Sequence, residues 1–203
     1  MKPTTIQAFV EGLGRIPESE FTVPVVARYI EQTPVAPESL GPYLFYEPTH
    51  YTRNLVYKCG LFEVIAVCWE KGQSSPVHNH QGQRCWMAVP TGRLAVQNYE
   101  LLSSDGSGRC ELRPSNRVVM DPGHPAYVDP DEPIHAVLNL PEYAERAVSL
   151  HVYSRPYDRC LVYAPERGAY WDVPLFYDSE YGRRGSPGLI DSPVPSPGTD
   201  SGR

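Results

Sequence analysis

The most informative segment of this chain reads Gly72-Gln-Ser-Ser-Pro-Val-His78-Asn-His80-Gln-Gly-Gln-Arg-Cys85-Trp-Met-Ala-Val-Pro-Thr-Gly92. In an extended strand, residues i and i+2 point to the same face. Both imidazole rings of the His-x-His pair can therefore reach one metal ion, and neutral imidazole suits Fe, Zn, Cu and Ni. A lone His-x-His pair is a weak signal, because surface pairs arise by chance. The glycines on both sides of this pair strengthen it.

The length of 203 residues indicates one domain that is large enough for a sizeable core. Its 18 Lys and Arg against 24 Asp and Glu give a formal net charge of −6. That charge argues against a partner that is a nucleic acid or an anionic membrane. The 22 prolines, 16 glycines and 14 tyrosines favour an all-β core over a helical bundle.

The sequence shows no signal-peptide pattern and no apolar run long enough to span a membrane. Its cysteine count is odd, and the spacings match no zinc motif. These features predict reduced thiols and a cytoplasmic protein, which we expect to be a monomer. The five cysteines are Cys59, Cys68, Cys85, Cys110 and Cys160.

Three segments follow from the residue patterns: an N-terminal helical segment at 1–47, a β-barrel catalytic domain at 48–181, and a disordered tail rich in Pro, Ser and Gly at 182–203. Gly and Pro punctuate the middle segment at the intervals of a sandwich or barrel. The last segment has too little apolar content to stabilise an ordered structure. Strands are predicted at 51–57, 62–68, 85–90, 92–102, 109–113, 117–121, 126–129, 135–140, 147–153, 160–164 and 169–173.

Two helices are predicted in the N-terminal segment and are expected to pack outside the barrel. The first has apolar residues at i, i+3, i+4 and i+7, with Thr4 or Thr5 as N-cap and Gly14 as its stop. The second starts after Thr22 and has Pro24 in its first turn. The apolar positions are Ile6, Phe9, Val10 and Leu13 in the first helix, and Val26, Tyr29 and Ile30 in the second.

The spacing around the two histidines matches the first motif of the cupins, which are double-stranded β-helix barrels of the jelly-roll type. That motif is Gly, five residues, His-x-His, four residues, an acidic position, six residues and Gly. Cys85 stands at the position where most cupins carry a ligating Glu. The second cupin motif ends in His, three residues and Asn, which His135-Ala-Val-Leu-Asn139 fits. His135 is therefore the predicted third ligand.

A competing third ligand is His124, in Asp121-Pro-Gly-His124-Pro. Its flanks indicate a turn, which would point the ring to solvent, so we prefer His135. Three neutral histidines without a carboxylate leave the full dipositive charge on a metal ion. Such a site suits an anionic ligand, and a thiolate is the obvious one.

The chain resembles the cysteine dioxygenases, which are thiol dioxygenases of the cupin superfamily. The resemblance covers roughly 48 to 165, with its segments in the family's order. Its segments are Tyr51-Thr-Arg53-Asn-Leu-Val, then Cys68-Trp69 followed by Gly72-Gln-Ser-Ser-Pro-Val-His78-Asn-His80, then Ala147-Val-Ser149-Leu-His151-Val-Tyr153-Ser followed by Tyr157-Asp158-Arg-Cys160.

The resemblance implies an Fe(2+) ion held by His78, His80 and His135. It implies that L-cysteine binds the iron through thiolate and amine, and that both atoms of O2 end on sulfur, which gives cysteine sulfinic acid. Arg53 would hold the substrate carboxylate with help from the Tyr51 hydroxyl. Arginine is also the side chain best shaped to bind a carboxylate through two hydrogen bonds.

The resemblance further implies a relay in which the Tyr153 hydroxyl bonds to His151, itself oriented by Ser149. Alternation independently puts these three residues on one face of one strand. Animal members of the family join a cysteine to this tyrosine by a thioether bond, and Cys85 stands at that cysteine's position. We therefore predict that Cys85 and Tyr153 can crosslink.

Two other functions stay open. Related 3-mercaptopropionate dioxygenases carry Gln where this chain has Arg53, so Arg53 favours cysteine, but another small thiol remains an alternative substrate. A non-catalytic metal-binding cupin is the remoter alternative. The family usually continues Tyr-Ser-Pro-Pro, whereas this chain reads Tyr153-Ser154-Arg155-Pro156, which raises the question of a cis or trans bond before Arg155. Trp69 and Trp86 are interpreted as core residues without a role in the site.

Overall fold

The computed structural model describes residues 2–124, 126–127 and 134–184. Two helices come first, α1 at Ile6–Gly14 and α2 at Val23–Gln32, with short 3-10 helices at Glu18–Glu20 and Pro37–Tyr43. Both predicted helices are confirmed. The side chain of Thr5 accepts a hydrogen bond from the backbone N–H of Ala8 at 3.2 Å, so Thr5 is the N-cap of α1.

The rest of the described chain consists of short strands in two sheets. In chain order the strands are β1 Thr52–Lys58, β2 Phe62–Trp69, β3 Val77–His78, β4 Cys85–Thr91, β5 Leu94–Ser104, β6 Cys110–Met120, β7 Ala126–Tyr127, β8 Ile134–Leu138, β9 Ala147–Ser154, β10 Arg159–Ala164, β11 Ala169–Pro174, β12 Ser179–Glu180 and β13 Arg183–Arg184. One sheet has the order β13-β12-β1-β2-β9-β4-β7, and the other has the order β11-β10-β3-β8-β5-β6. Apart from the parallel pair β1–β12, the strand pairs described are antiparallel. The two sheets face each other as the predicted jelly-roll barrel, so the all-β cupin fold is confirmed.

Strand β2 shows how the seven-stranded sheet separates two apolar cores. All eight of its residues are buried, because one face meets the helices and the other meets the barrel interior. Phe62, Val64 and Ala66 pack with α1 and α2, whereas Ile65 and Val67 pack inside the barrel. Each large apolar side chain buried in this way contributes roughly 1.5–3 kcal/mol. The helices therefore stabilise the sheet from outside and leave the interior free for polar groups.

Gly92, which closes the first cupin motif, has a conformation that only glycine adopts easily. Its φ is +75°, and a Cβ atom there would lie 2.4 Å from the carbonyl oxygen of Arg146. The glycine therefore lets the end of β4 approach the chain that leads into β9. Both strands carry site residues, so this contact helps to set their separation.

Asn139, which ends the second motif, is a structural residue. It is 1% exposed, and its side-chain N–H groups donate to the carbonyls of Glu145 at 2.9 Å and Glu70 at 3.1 Å. Its backbone N–H donates to the carbonyl of Gln73 at 2.8 Å. The asparagine thus ties the end of β8 to the segment that opens the first motif.

Most predicted strands agree with the structure to within two residues at each end, and two predictions differ in a more important way. The runs 109–113 and 117–121 form the single strand β6, because Pro114 lies on an edge strand, where a missing N–H breaks no ladder on the open side. The predicted tail begins too early, since Arg183–Arg184 pairs with β12. Residues 185–203 lie outside the described residues, as do 128 and 129 of the strand predicted at 126–129. Within the part of the chain that the structure covers, no helix is long and apolar enough to cross a membrane.

Candidate metal centre

Three histidines meet inside the barrel as the sequence predicts. One nitrogen from each of His78, His80 and His135 lies within 4.8 Å of the others. The ring centroids are 4.8 to 5.4 Å apart. His80 and His135 are 1% and 2% exposed, whereas His78 is half-buried. The three rings can converge on one metal ion.

The backbone brings these rings together through the six-stranded sheet. His78 and His135 are directly opposite residues of the neighbouring strands β3 and β8. His80 follows His78 in extended chain, and the residue between them points away. That residue, Asn79, exchanges hydrogen bonds with Leu161 of β10: its backbone N–H donates at 3.1 Å, and its side-chain oxygen accepts at 3.0 Å. The His-x-His segment is therefore fixed to the sheet.

The environment keeps the three imidazoles neutral, which is the form that binds a metal. Burial and the charge of Arg53 together lower the pKa of His78 to about 4, although a hydrogen bond to Pro76 opposes them. Burial and the neighbouring histidines lower the pKa values of His80 and His135 well below the usual range. The Nδ1 atom of His78 pairs with the carbonyl of Pro76 at 3.0 Å, which leaves its Nε2 for a metal.

Ring nitrogens without a hydrogen-bond partner show whether the histidine cluster suits a metal ion. Both ring nitrogens of His80 and Nδ1 of His135 are buried without a hydrogen-bond partner among the described residues. Buried polar atoms of this kind are costly unless a ligand satisfies them. A cation bound by the cluster would satisfy such atoms, so the residues present fit a metal site.

The predicted relay lies on β9, in the opposite sheet. The Ser149 hydroxyl lies 2.8 Å from Nε2 of His151, and the Tyr153 hydroxyl lies 3.3 Å from Nδ1 of the same ring. Ser149 also accepts a hydrogen bond from the indole N–H of Trp69 at 2.9 Å. Trp69 is therefore a core residue, as interpreted from the sequence, but its indole also holds Ser149, a contact that the sequence did not reveal.

Cys85 and Tyr153 are directly opposite residues of the neighbouring strands β4 and β9. Both side chains belong to the interior core, and the Cys85 sulfur lies 3.7 Å from Nδ1 of His151. Burial raises the pKa of the Cys85 thiol, with a hydrogen bond to Tyr153 opposing the shift. The structure thus places this cysteine beside the tyrosine, as the sequence predicts.

Arg53 lies on β1, in the same sheet as the relay. Its Nε atom donates to the carbonyl of Phe176 at 3.3 Å, and one terminal nitrogen, Nη2, is buried without a partner among the described residues. The Tyr51 ring stacks on Trp69, with 4.6 Å between centroids. A buried guanidinium with a free N–H group can bind an anion such as a carboxylate.

Two residues outside the predicted site were also located: His124 lies away from the centre, and Tyr157 packs against it. His124 is exposed and lies in a turn, with Nδ1 2.5 Å from a carboxylate oxygen of Asp121, so it is not part of the cluster. Tyr157, which had no predicted role, packs against Tyr153 with 5.2 Å between ring centroids and against His80 with 6.3 Å. The resemblance includes Tyr157 without giving it a role, because this residue lies in the loop after β9, where strand alternation does not say which way a side chain points.

Fold and centre together define a cupin with a three-histidine metal site, in which ligands from one sheet face an arginine and a Ser-His-Tyr relay from the other. The family model described as "Cysteine dioxygenase type I" matches residues 4–166. The chain belongs to this family of thiol dioxygenases, and the resemblance inferred from the sequence is confirmed.

Individual relatives are similar over most of their length. The proteins named cysteine dioxygenase type 1 from Danio rerio and from Homo sapiens are each 28% identical to this chain over 186 residues, which covers 91% of this chain and 91% of each relative. Among solved structures, an uncharacterized conserved protein with a double-stranded β-helix domain from Klebsiella pneumoniae is 16% identical, with a TM-score of 0.44. That match covers 58% of this chain and 82% of the other.

Proposed function

We propose that this protein is an iron(II)-dependent dioxygenase that converts L-cysteine and O2 to cysteine sulfinic acid. One observation carries the proposal: in a chain of this family, a three-histidine cluster, an arginine with a free buried N–H group, and a Ser-His-Tyr relay all face one barrel interior. The names of the relatives support the same activity.

His78, His80 and His135 would hold the metal. Three neutral nitrogen ligands leave a dipositive charge uncompensated, so an anionic thiolate is a favourable additional ligand. When bound, iron(II) would supply the oxygen chemistry and lower the pKa of the substrate thiol. The protein then has to orient the substrate and exclude side reactions.

Arg53 would bind the carboxylate of the substrate, with the Tyr51 hydroxyl beside it. Its Nη2 atom has no other partner among the described residues, which supports this role. A charge-assisted hydrogen bond in a buried site both strengthens binding and fixes orientation. This arginine also supports a substrate with a carboxylate over a thiol without one.

Tyr153 would place its hydroxyl near the reacting sulfur. His151 holds that hydroxyl, Ser149 holds His151, and the indole of Trp69 holds Ser149. Each member restricts the rotation of the next, so the hydroxyl stays in place without further ordering of the side chain. A thioether bond between Cys85 and Tyr153 would fix the ring further, and their position as cross-strand neighbours supports that bond.

The test is O2 uptake by protein loaded anaerobically with iron(II), with L-cysteine and 3-mercaptopropionate measured side by side. We expect cysteine to gain two oxygen atoms, as measured by mass spectrometry, and to be consumed faster than the other thiol. Preference for 3-mercaptopropionate would keep the chemistry and replace the substrate. Tight metal binding without O2 uptake with either thiol would contradict the proposal and favour a non-catalytic metal-binding cupin.

A further inference from the structure

A buried carboxylate lies inside the barrel, and the proposed function does not use it. Glu63 of β2 is 0% exposed, and it alternates with Ile65 and Val67, so it faces the interior. It is directly opposite Tyr153 of β9, which is itself directly opposite Cys85 of β4. The acid therefore belongs to the row of side chains that borders the reacting region.

Among the residues that the structure describes, one oxygen of this carboxylate has a partner and the other has none. Oε2 of Glu63 accepts a hydrogen bond from the Tyr177 hydroxyl at 2.5 Å and lies 3.9 Å from the ammonium of Lys58. Oε1 is buried without a partner among the described residues. Burial raises the pKa of Glu63, while the Tyr177 hydrogen bond and the charges of Arg53 and Lys58 lower it. Burial outweighs these three groups, so the net shift of the Glu63 pKa is upward.

Arg53 and Glu63 have opposite charges, but Tyr177 stands between them. The Tyr177 hydroxyl binds Glu63, and the centre of its ring is 6.0 Å from the guanidinium carbon of Arg53. Of the ion pairs that the described residues form within 4.0 Å, none joins Arg53 to Glu63. Each group has one buried polar atom without a partner in the described part of the chain, namely Nη2 of Arg53 and Oε1 of Glu63.

A buried donor and a buried acceptor that are held apart cost free energy unless a ligand satisfies both. The ligand that suits them has an anionic acceptor at one end and an N–H donor at the other. An α-amino acid has both, whether its amino group is protonated or neutral. A thiol acid without an amino group has only the first.

We propose that Glu63 accepts an N–H hydrogen bond from the amino group of the thiol substrate, which this group can donate while it is also bound to the metal, and that Arg53 receives the carboxylate. The pocket would thus select α-amino thiols over thiols that lack an amino group. The inference rests on the proposed function and names the specificity determinant of the same site. With 3-mercaptopropionate, Oε1 of Glu63 would stay buried and unpaired, which disfavours that ligand by about 10- to 100-fold.

The variant Glu63→Gln tests this, because it keeps the shape and an acceptor for Tyr177 but removes the charge. We expect kcat/KM for L-cysteine to fall by about 10-fold or more, while kcat/KM for 3-mercaptopropionate stays within about twofold. Anaerobic equilibrium binding of the two thiols to iron-loaded protein should show the same loss of selectivity without turnover. An equal fall for both thiols would mean a structural role and would overturn the inference.

The matched control is Glu100→Gln, since Glu100 of β5 is an exposed acid paired with Arg113 of β6. It should leave both thiols unchanged. If Glu63→Gln does not fold, Glu63→Asp keeps the charge but draws it back by one methylene group. It should weaken anaerobic binding of L-cysteine by about 10-fold while 3-mercaptopropionate stays within about twofold, and equal effects on both thiols would overturn the inference. Absence of O2 uptake with either thiol in the wild type would instead refute the proposed function, and the binding comparison would still test Glu63.

Discussion

Of the two candidate third ligands, His135 reaches the imidazoles of His78 and His80, and His124 does not. Only His135 shares the cluster, whereas His124 faces solvent beside Asp121. We expect His135→Ala to weaken iron(II) binding by more than about 100-fold, since it removes a ligand rather than a group behind one. His124→Ala is the matched control and should bind iron as the wild type does. Bound iron after anaerobic loading and desalting measures both, and normal iron content in His135→Ala would refute this ligand set.

Arg53 is the residue whose removal should affect the carboxylate end of the substrate alone. Arg53→Ala removes a charge-assisted hydrogen bond, so we expect the KM for L-cysteine to rise by an amount equivalent to about 1.5–3 kcal/mol. Cysteamine, which has no carboxylate, should bind the variant and the wild type equally. The comparison uses anaerobic binding of both thiols, and an unchanged affinity for cysteine would remove Arg53 from the site.

Cys85 and Tyr153 are cross-strand neighbours, so the predicted thioether bond between them can be tested chemically. Joining the sulfur to the tyrosine ring removes the thiol hydrogen and one ring hydrogen, and the two electrons pass to O2. Protein incubated with iron(II), cysteine and air should therefore lose about 2 Da and yield a joined peptide from β4 and β9. Cys85→Ala should show neither change. A joined fraction of zero after many turnovers would contradict the prediction.

Single residues were predictable where a motif fixes their spacing, and not where packing across strands decides. His78, His80 and His135 follow from two short motifs. Trp69 and Glu63 have no such pattern, because every residue of β2 is buried and the alternation that would mark its inner face is hidden. Their roles appear only once β2 lies next to β9.

At the scale of strands and turns, Gly92 is the position where a single methyl group should do most harm. A Cβ there would meet the Arg146 carbonyl at 2.4 Å, at a φ of +75°. The two nearest atoms belong to the backbone of Arg146 and Ala147, which cannot move aside as a flexible side chain would. We expect Gly92→Ala to lower the free energy of unfolding by about 2–4 kcal/mol in urea titrations. Gly14→Ala meets no atom within 4 Å and is the control; equal losses in both variants would contradict this explanation.

The backbone conformation of the loop after β9 could not be predicted from the family resemblance. The described residues contain no cis peptide bond, so the bond before Arg155 is trans. Arg155 has a φ of +65°, and its backbone N–H donates to the carbonyl of Leu61 at 2.7 Å. Proline could satisfy neither condition, since it lacks the N–H and fixes φ near −65°. The family's usual proline at this position therefore does not fit the loop of this chain.

At the scale of the molecule, the fold and its charge state are connected through four histidines of the barrel interior, three of them buried and His78 half-buried. The strand pattern and motifs sufficed to predict the barrel, but the cytoplasmic location and the monomeric state stay predictions. Burial lowers the pKa of His78 to about 4 and of His151 to about 3, and it also lowers those of His80 and His135. The neutral interior that favours metal binding therefore makes the metal-free protein sensitive to acid.

The sign of this sensitivity follows from proton binding. Between pH 6.5 and pH 4 the unfolded chain protonates these histidines and the native state does not, so stability falls as the pH falls. Glu63, whose pKa burial raises, opposes this as one group against four. The metal-free protein should therefore lose stability over this range, by about 1.4 kcal/mol per pH unit for each histidine that is protonated in the unfolded chain alone. Urea unfolding at successive pH values measures the loss, and His151→Gln should reduce its slope by about one proton; an unchanged slope in that variant would show that His151 is protonated in the native state.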